Sequence, residues 1–218
     1  MSSYAMYALT DKLAKECCAQ AEYRIPGAEE KGAEIETGEG GMHVGVGEGW
    51  WYEQLHLPVN FNTWAQVTFL HQYLLLTRLR QLPPESSREW QQQLVNHIFH
   101  AAEDRMVQQH RIDSASVRNA YKRDLFYQWR GVIAAYDEGI IGSDAVLATA
   151  LWRNLFGGRE DVDAVSLATV VAYVRRWVAY LDGAGDEDVL GGNVGFGGEE
   201  RDRQIVLPTS WALRFYEL

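Results

Sequence analysis

NTWAQVTFLHQYLLLTRLRQLPP, running from Asn62 to Pro84, is the stretch that decides the fold. Asn62 or Thr63 can cap a helix start, because a side-chain oxygen there accepts a backbone N–H that has no partner within the helix. Pro83 and Pro84 stop the helix, since the ring removes a donor and clashes with the preceding turn. Val67, Leu70 and Leu74 recur at helical spacing, while Trp64, Phe69, Tyr73, Leu75, Leu76 and Leu79 fill the other sides. A helix that is apolar nearly all round lies inside a bundle or spans a membrane. His71, Gln72, Arg78 and Arg80 break the apolar run short of the roughly 18 residues a span requires. The stretch therefore reads as the central helix of a soluble helical domain. Arg78 and Arg80 sit at its C-terminal end, where positive charge suits the helix dipole.

Outward from this helix the same signals repeat. On the N-terminal side, Tyr4 to Tyr23 reads as a helix with Tyr7, Leu13 and Cys17 inward, ended by Pro26 and Gly27. Residues 28–49 are rich in Gly and Glu without an apolar period, and read as a mobile acidic loop. A short aromatic helix, WWYEQLHLP, follows from Trp50 to Pro58. On the C-terminal side, Glu85 to Gln109 is a long helix capped by Ser86 or Ser87, with Trp90, Leu94, His97 or Ile98, and Ala101 inward. Asp113 or Ser114 caps the next, which carries Val117, Tyr121, Leu125, Trp129 or Gln128, and Val132 and ends at Gly139 or Gly142. Ser143 opens a further helix to Gly157, and Asp161 or Asp163 opens the last long one, to Asp182. Residues 183–204 read as a Gly-rich acidic loop, and the tail as a short strand and a helical turn. No 20–50-residue repeat and no alternating run marks a sheet. The expectation is all-α: one helical-bundle domain, six to seven helices, two Gly/Glu-rich loops.

The charge excludes some functions. The chain has 20 Lys and Arg against 30 Asp and Glu, a net −10, which disfavours indiscriminate nucleic-acid binding. Between Asn62 and Arg130, however, nine basic residues face six acidic ones, so the helical middle is mildly basic. Cys17 and Cys18 are adjacent and make no disulfide framework, which fits a reducing compartment. No signal peptide or Arg-rich presequence is visible in these residues.

Few constellations carry chemistry. His97, His100 and Asp104 in HIFHAAED share one side of a helix, and two His with a carboxylate can hold zinc or iron. The bland reading is two partly buried, hydrogen-bonded histidines beside ion pairs at a helix end. GVGEG (Gly45 to Gly49) and GGNVGFGG (Gly191 to Gly198) follow no strand, contain no GK[ST] and lie in acidic stretches that repel phosphate. Asp137 and Glu138 are adjacent on a helix and diverge by about 100°, so they do not share a catalytic proton. No catalytic residue and no cofactor is implied. The stripe Tyr173, Trp177, Tyr180 has i, i+4, i+7 spacing; it is either a core face or a groove for a partner helix. A binding module is favoured over an enzyme.

Four blocks together resemble the ubiquinol–cytochrome c chaperone family, most closely its fungal mitochondrial members: WYEQLHLPVNFNTWAQVTFLHQYLLLTRLRQLP, LVNHIFHAAEDRM, YQWRGVIAAYDEGIIGSDAVLATALWRNLFGG and AYVRRWVAYL. The resemblance runs from about Tyr4 to Leu181. Ala65 stands where an aromatic is usual, and Tyr73 where Trp is frequent. The two Gly-rich loops find no counterpart.

The resemblance implies an assembly chaperone for newly synthesised mitochondrial cytochrome b. Such a protein supports cytochrome b translation and its entry into respiratory complex III. It also implies a small helical co-chaperone in a heterodimer, contact with the mitochondrial ribosome, and peripheral contact with the matrix side of the inner membrane. The targeting segment would lie outside these residues. With no ATP involved, the client is held by apolar contacts and released by competition. Trp50, Trp51, Tyr52, Tyr173, Trp177 and Tyr180 are the candidates for client or partner contact. Arg118, Lys122 and Arg123 are the candidates for ribosome contact. The rivals are a metal-dependent helical enzyme built on His97 and His100, and a structural subunit of a respiratory complex or ribosome.

Overall fold

The apolar stretch folds as α3, Phe61–Leu79, and all but Phe61, Asn62 and Thr77 of its residues are buried. The computed structural model describes residues 2–30 and 32–213. Around α3 stand α1 (Ser3–Ala19), α2 (Trp50–Glu53), α4 (Pro84–Gln108), α5 (Ala115–Ile141), α6 (Asp144–Asn154), α7 (Ala164–Gly183), α8 (Asp186–Leu190) and α9 (Glu199–Leu213). Among the described residues there is no strand, only two isolated bridges, Arg24 with Val46 and Thr37 with His43. The architecture is all-α, and seven of the nine helices among the described residues have 11 residues or more.

The boundaries follow local chemistry, with two corrections. The cap of α3 is Asn60, not Asn62 or Thr63; its side chain accepts from the Thr63 N–H at 3.0 Å. Pro84 is the first residue of α4 rather than a bare stop, and Pro83 takes the cap position expected of Ser86 or Ser87. Pro is well placed there, because its missing N–H would have no intrahelical partner and its φ is already helical. Ser114 and Asp163 cap α5 and α7 as the sequence suggests.

One apolar core joins the helices. Leu13 and Cys17 of α1 enter it, but Met6 and Thr10 complete that face while Tyr7 lies exposed. Ala65 and Tyr73, the two departures from the family pattern, are both core residues. Gly139 lets α6 approach α5 closely, since a Cβ there would lie 2.8 Å from the Leu147 Cα. By length and composition α7 could cross a membrane. Its Val170, Tyr173, Val174, Trp177 and Leu181 are nevertheless taken up by the core, and Arg175 donates to the carbonyls of Gly139, Ile140 and Gly142.

Two expected loops are more ordered than their composition suggests. Between α1 and α2 the chain makes one 3-10 turn, Glu39–Gly41, inside the Thr37–His43 bridge. Arg111, itself at φ 53°, donates to the carbonyls of Gly27, Ala28, Glu30 and Ala33. The expected loop over 183–204 is broken by α8 and by the start of α9. The expected tail strand is instead part of α9, and the end of the expected helical turn, residues 214–218, lies outside the described residues.

Candidate functional site

Trp51, at the α2 turn, packs edge-on to His71 and Tyr173 at 5.5 and 5.6 Å between ring centroids. Tyr52 donates to the Ala21 carbonyl at 2.7 Å. Trp51, Tyr52, Tyr173 and Trp177 are all 6 % exposed or less. This corrects the reading of these four as open client contacts: in this conformation they are core. Tyr180 is half exposed, and Trp50 is partly exposed at the edge of the same cluster.

His71 lies at the centre of that aromatic cluster. Its Nδ1 faces the Val67 carbonyl at 2.7 Å, which only accepts, so Nδ1 carries the proton. Nε2 then accepts from the Tyr173 hydroxyl at 2.8 Å. Complete burial lowers the ring's pKa to about 4, and it stays neutral. In the sequence His71 appears only as an interruption of an apolar run.

The His97, His100 and Asp104 triplet does not assemble. His97 turns onto α1, with its ring 4.4 Å from that of Tyr7 and Nδ1 3.7 Å from an Asp11 oxygen. His100 and Asp104 are exposed, and among the described residues no three His, Cys, Asp or Glu side chains converge as a metal site. The basic triplet also divides. Glu103 of α4 accepts from Arg118 at 3.1 Å and from Lys122 at 2.6 Å. The two cations hold the Glu103 carboxyl below its ordinary range. Arg118 further donates to the carbonyls of Ile112 and Asp113. Arg123 is exposed.

A second apolar face is open. The stripe on α5 that buries Leu125, Trp129 and Val132 continues beyond the core to Tyr121 and Val117, which are 50 % and 43 % exposed. Here α5 forms one wall of a cavity of about 500 Å³. Met42 and His43 of the long loop, Phe61 and Met106 line it as well. His43 and His110 stack with ring centroids 5.1 Å apart and Nδ1 atoms 3.0 Å apart, and Tyr23 meets His110 Nε2 at 2.6 Å. Burial, then the neighbouring His43 and Arg105, lower the His110 pKa to about 4. The sequence placed Val117 and Tyr121 on the inward stripe; it could not show that the stripe outruns its partners.

Residues 53–196 match the model of a family described as ubiquinol-cytochrome C chaperone. The chain belongs to that family. The family match thus begins at the end of α2 and reaches past α7 to Phe196, beyond the Leu181 limit of the sequence resemblance. "Protein CBP3, mitochondrial" of Saccharomyces cerevisiae is 40 % identical over 147 residues, 67 % of this chain and 44 % of that protein. "Ubiquinol-cytochrome-c reductase complex assembly factor 1" of Xenopus laevis is 35 % identical over 64 % of this chain and 68 % of its own length. The chain thus spans under half the length of the yeast relative. A crystal structure described as the Cbp3 homolog from Brucella abortus superposes with a TM-score of 0.65 over 91 % of this chain and 93 % of that one. At 18 % identity it shows a shared fold.

Proposed function

We propose that this chain is an assembly chaperone for respiratory complex III, and that its client is newly synthesised mitochondrial cytochrome b. It belongs to a chaperone family rather than a family of catalysts. The observation that carries the reading is the family match over residues 53–196, supported by relatives named for complex III assembly. The mitochondrial location rests on the yeast relative's name. The matrix side of the inner membrane, a small helical co-chaperone, ribosome contact and support of translation are parts of the same proposal.

The mechanism is passive holding. A client segment bound for a membrane exposes large apolar side chains, and the groove lined by Met42, Phe61, Tyr121 and Leu125 offers apolar surface to them. Each such side chain buried contributes roughly 1.5–3 kcal/mol, so a few hold a helix reversibly without ATP. Aromatic walls give wide contact at little rotamer cost. Arg123 is the basic residue best placed for ribosomal contact, since it is exposed while Arg118 and Lys122 share an ion pair with Glu103.

Site-specific photocrosslinking from Tyr121, Tyr180 and Arg123 during mitochondrial translation tests this. Cytochrome b is the expected chief adduct from Tyr121, and ribosomal components from Arg123. A broad smear of unrelated chains from Tyr121 would remove the client assignment.

A further inference from the structure

The chain returns to α7 after α8, and the way it is held there is unusual. Residues 191–198 include five glycines, and Gly192, Gly197 and Gly198 take φ values of 66°, 152° and 86°. Such a segment loses much backbone entropy when fixed; buried Val194, the Phe196 N–H on Glu16 at 2.8 Å and Lys12 on Asn193 at 3.2 Å hold its path. It delivers two anchors. The Phe196 ring, itself only partly buried, packs edge-on to His71 at 4.6 Å and to Trp177 at 4.7 Å. Six residues later, Asp202 of α9 accepts from Arg176 Nε and Nη2, each at 2.8 Å, and is 1 % exposed. Between them the Gly197 carbonyl accepts from Arg176 Nη2 at 2.7 Å and from Trp177 Nε1 at 3.2 Å.

In α9 the side chains of residues 199–207 are described, and the buried one is a carboxylate; Ile205 is 58 % exposed. A surface helix is ordinarily held by an apolar stripe, and a buried ion pair only roughly repays its own desolvation. Over these residues the attachment leans on polar contacts, Arg176 with Asp202 and Arg203 with Gln54, beside the partly buried Val206 and Leu207, and contacts of this kind can open locally below global unfolding. Beneath it, the Arg176 guanidinium lies 5.3 Å from the centroids of both Tyr173 and Trp177, and Tyr180 extends the stripe into solvent. An aromatic socket beside a guanidinium fork suits an aromatic ring and a carboxylate on one polypeptide. α9 also lies outside the segment matched to the family.

We infer that residues 191–213 form a displaceable strap over a docking face on α7 and α3, whose working occupant is a segment of another polypeptide presenting an aromatic residue and, six residues on, a carboxylate. This rests on the reading that the chain holds other polypeptides. It explains how Tyr173 and Trp177 can be buried here and still serve a partner: the strap occupies the face until a segment of like chemistry replaces it.

A fluorescent peptide with the sequence of residues 191–213, titrated onto the full chain, tests the idea. Asp202→Asn and Phe196→Ala weaken the strap, and the apparent affinity rises in proportion to the open fraction, about tenfold or more. Adding Arg176→Ala to Asp202→Asn abolishes that gain. Equal affinity for the native chain and Asp202→Asn, or indifference to Arg176→Ala, overturns the proposal. So does a variant that dimerises in place of binding peptide, because the occupant is then a second copy. Hydrogen exchange on the native chain needs no variant: residues 199–207 exchange by local opening, and exchange only through global unfolding overturns the inference. If Tyr121 still captures cytochrome b while the strap fails these tests, the inference alone falls.

Discussion

The His71 imidazole and the Tyr173 hydroxyl meet at 2.8 Å in the centre of the core, joining α3 to α7. Folding keeps the ring neutral, with its pKa lowered from 6.5 to about 4. The native state therefore binds fewer protons than the unfolded chain over that interval. The stability this group contributes is complete above pH 6.5 and is lost as pH falls toward 4, about 3 kcal/mol in all. His110, lowered to about 4 as well, acts in the same direction. Denaturant midpoints at pH 7.5, 6 and 5 check this: His71→Gln, less stable at pH 7.5, shows a shallower loss than the native chain. Parallel pH profiles would refute it.

Gly139 and Gly131 lie on the same helix and respond oppositely to alanine. At Gly139 the added Cβ meets α6 backbone, so Gly139→Ala costs roughly 1–3 kcal/mol. At Gly131 nothing lies within 4 Å, and Gly131→Ala stabilises α5 by about 0.5–1 kcal/mol. Thermal melting of the two variants measures both signs.

Arg111 pins the acidic loop through backbone carbonyls rather than through a carboxylate. Arg111→Ala should weaken the loop locally by about 1–3 kcal/mol, as lost charged hydrogen bonds do. Hydrogen exchange then rises over residues 27–34 while the α3 amides are unchanged. Arg111→Lys does not restore protection, because an ammonium cannot span that fan of acceptors.

Glu103 pairs with both Arg118 and Lys122, two of the cations of the expected ribosome contact. Glu103→Gln releases Arg118 and Lys122. If this face meets ribosomal phosphates, the variant cosediments with mitochondrial ribosomes more strongly, with a steeper salt dependence. Arg123→Glu does the reverse. Identical salt profiles for all three proteins would remove the face from the account.

The fold was largely legible because α3 has no polar face, and such a helix must be walled in on every side. Cap positions slipped by two residues at Asn60 because Asn60 and Asn62 are chemically alike, and only backbone geometry separates them. The aromatic stripe on α7 was read with the right period. Whether Trp177 faces solvent depends on Phe196 and Asp202, 19 and 25 residues on, and no local pattern encodes that. The pairing of Arg118 and Lys122 was hidden for the same reason: their partner, Glu103, sits on another helix. Conversely, Val117 and Tyr121 looked like core by spacing, yet both are exposed, and Tyr121 lines the open groove.

Passive holding is tested most directly by translating cytochrome b in a cell-free system with the purified chain and then depleting ATP and GTP. The account expects cytochrome b to remain soluble and bound after depletion, and Tyr121→Glu in the groove to release it to the aggregate. A nucleotide requirement for retention, or equal aggregation with and without the chain, would contradict it.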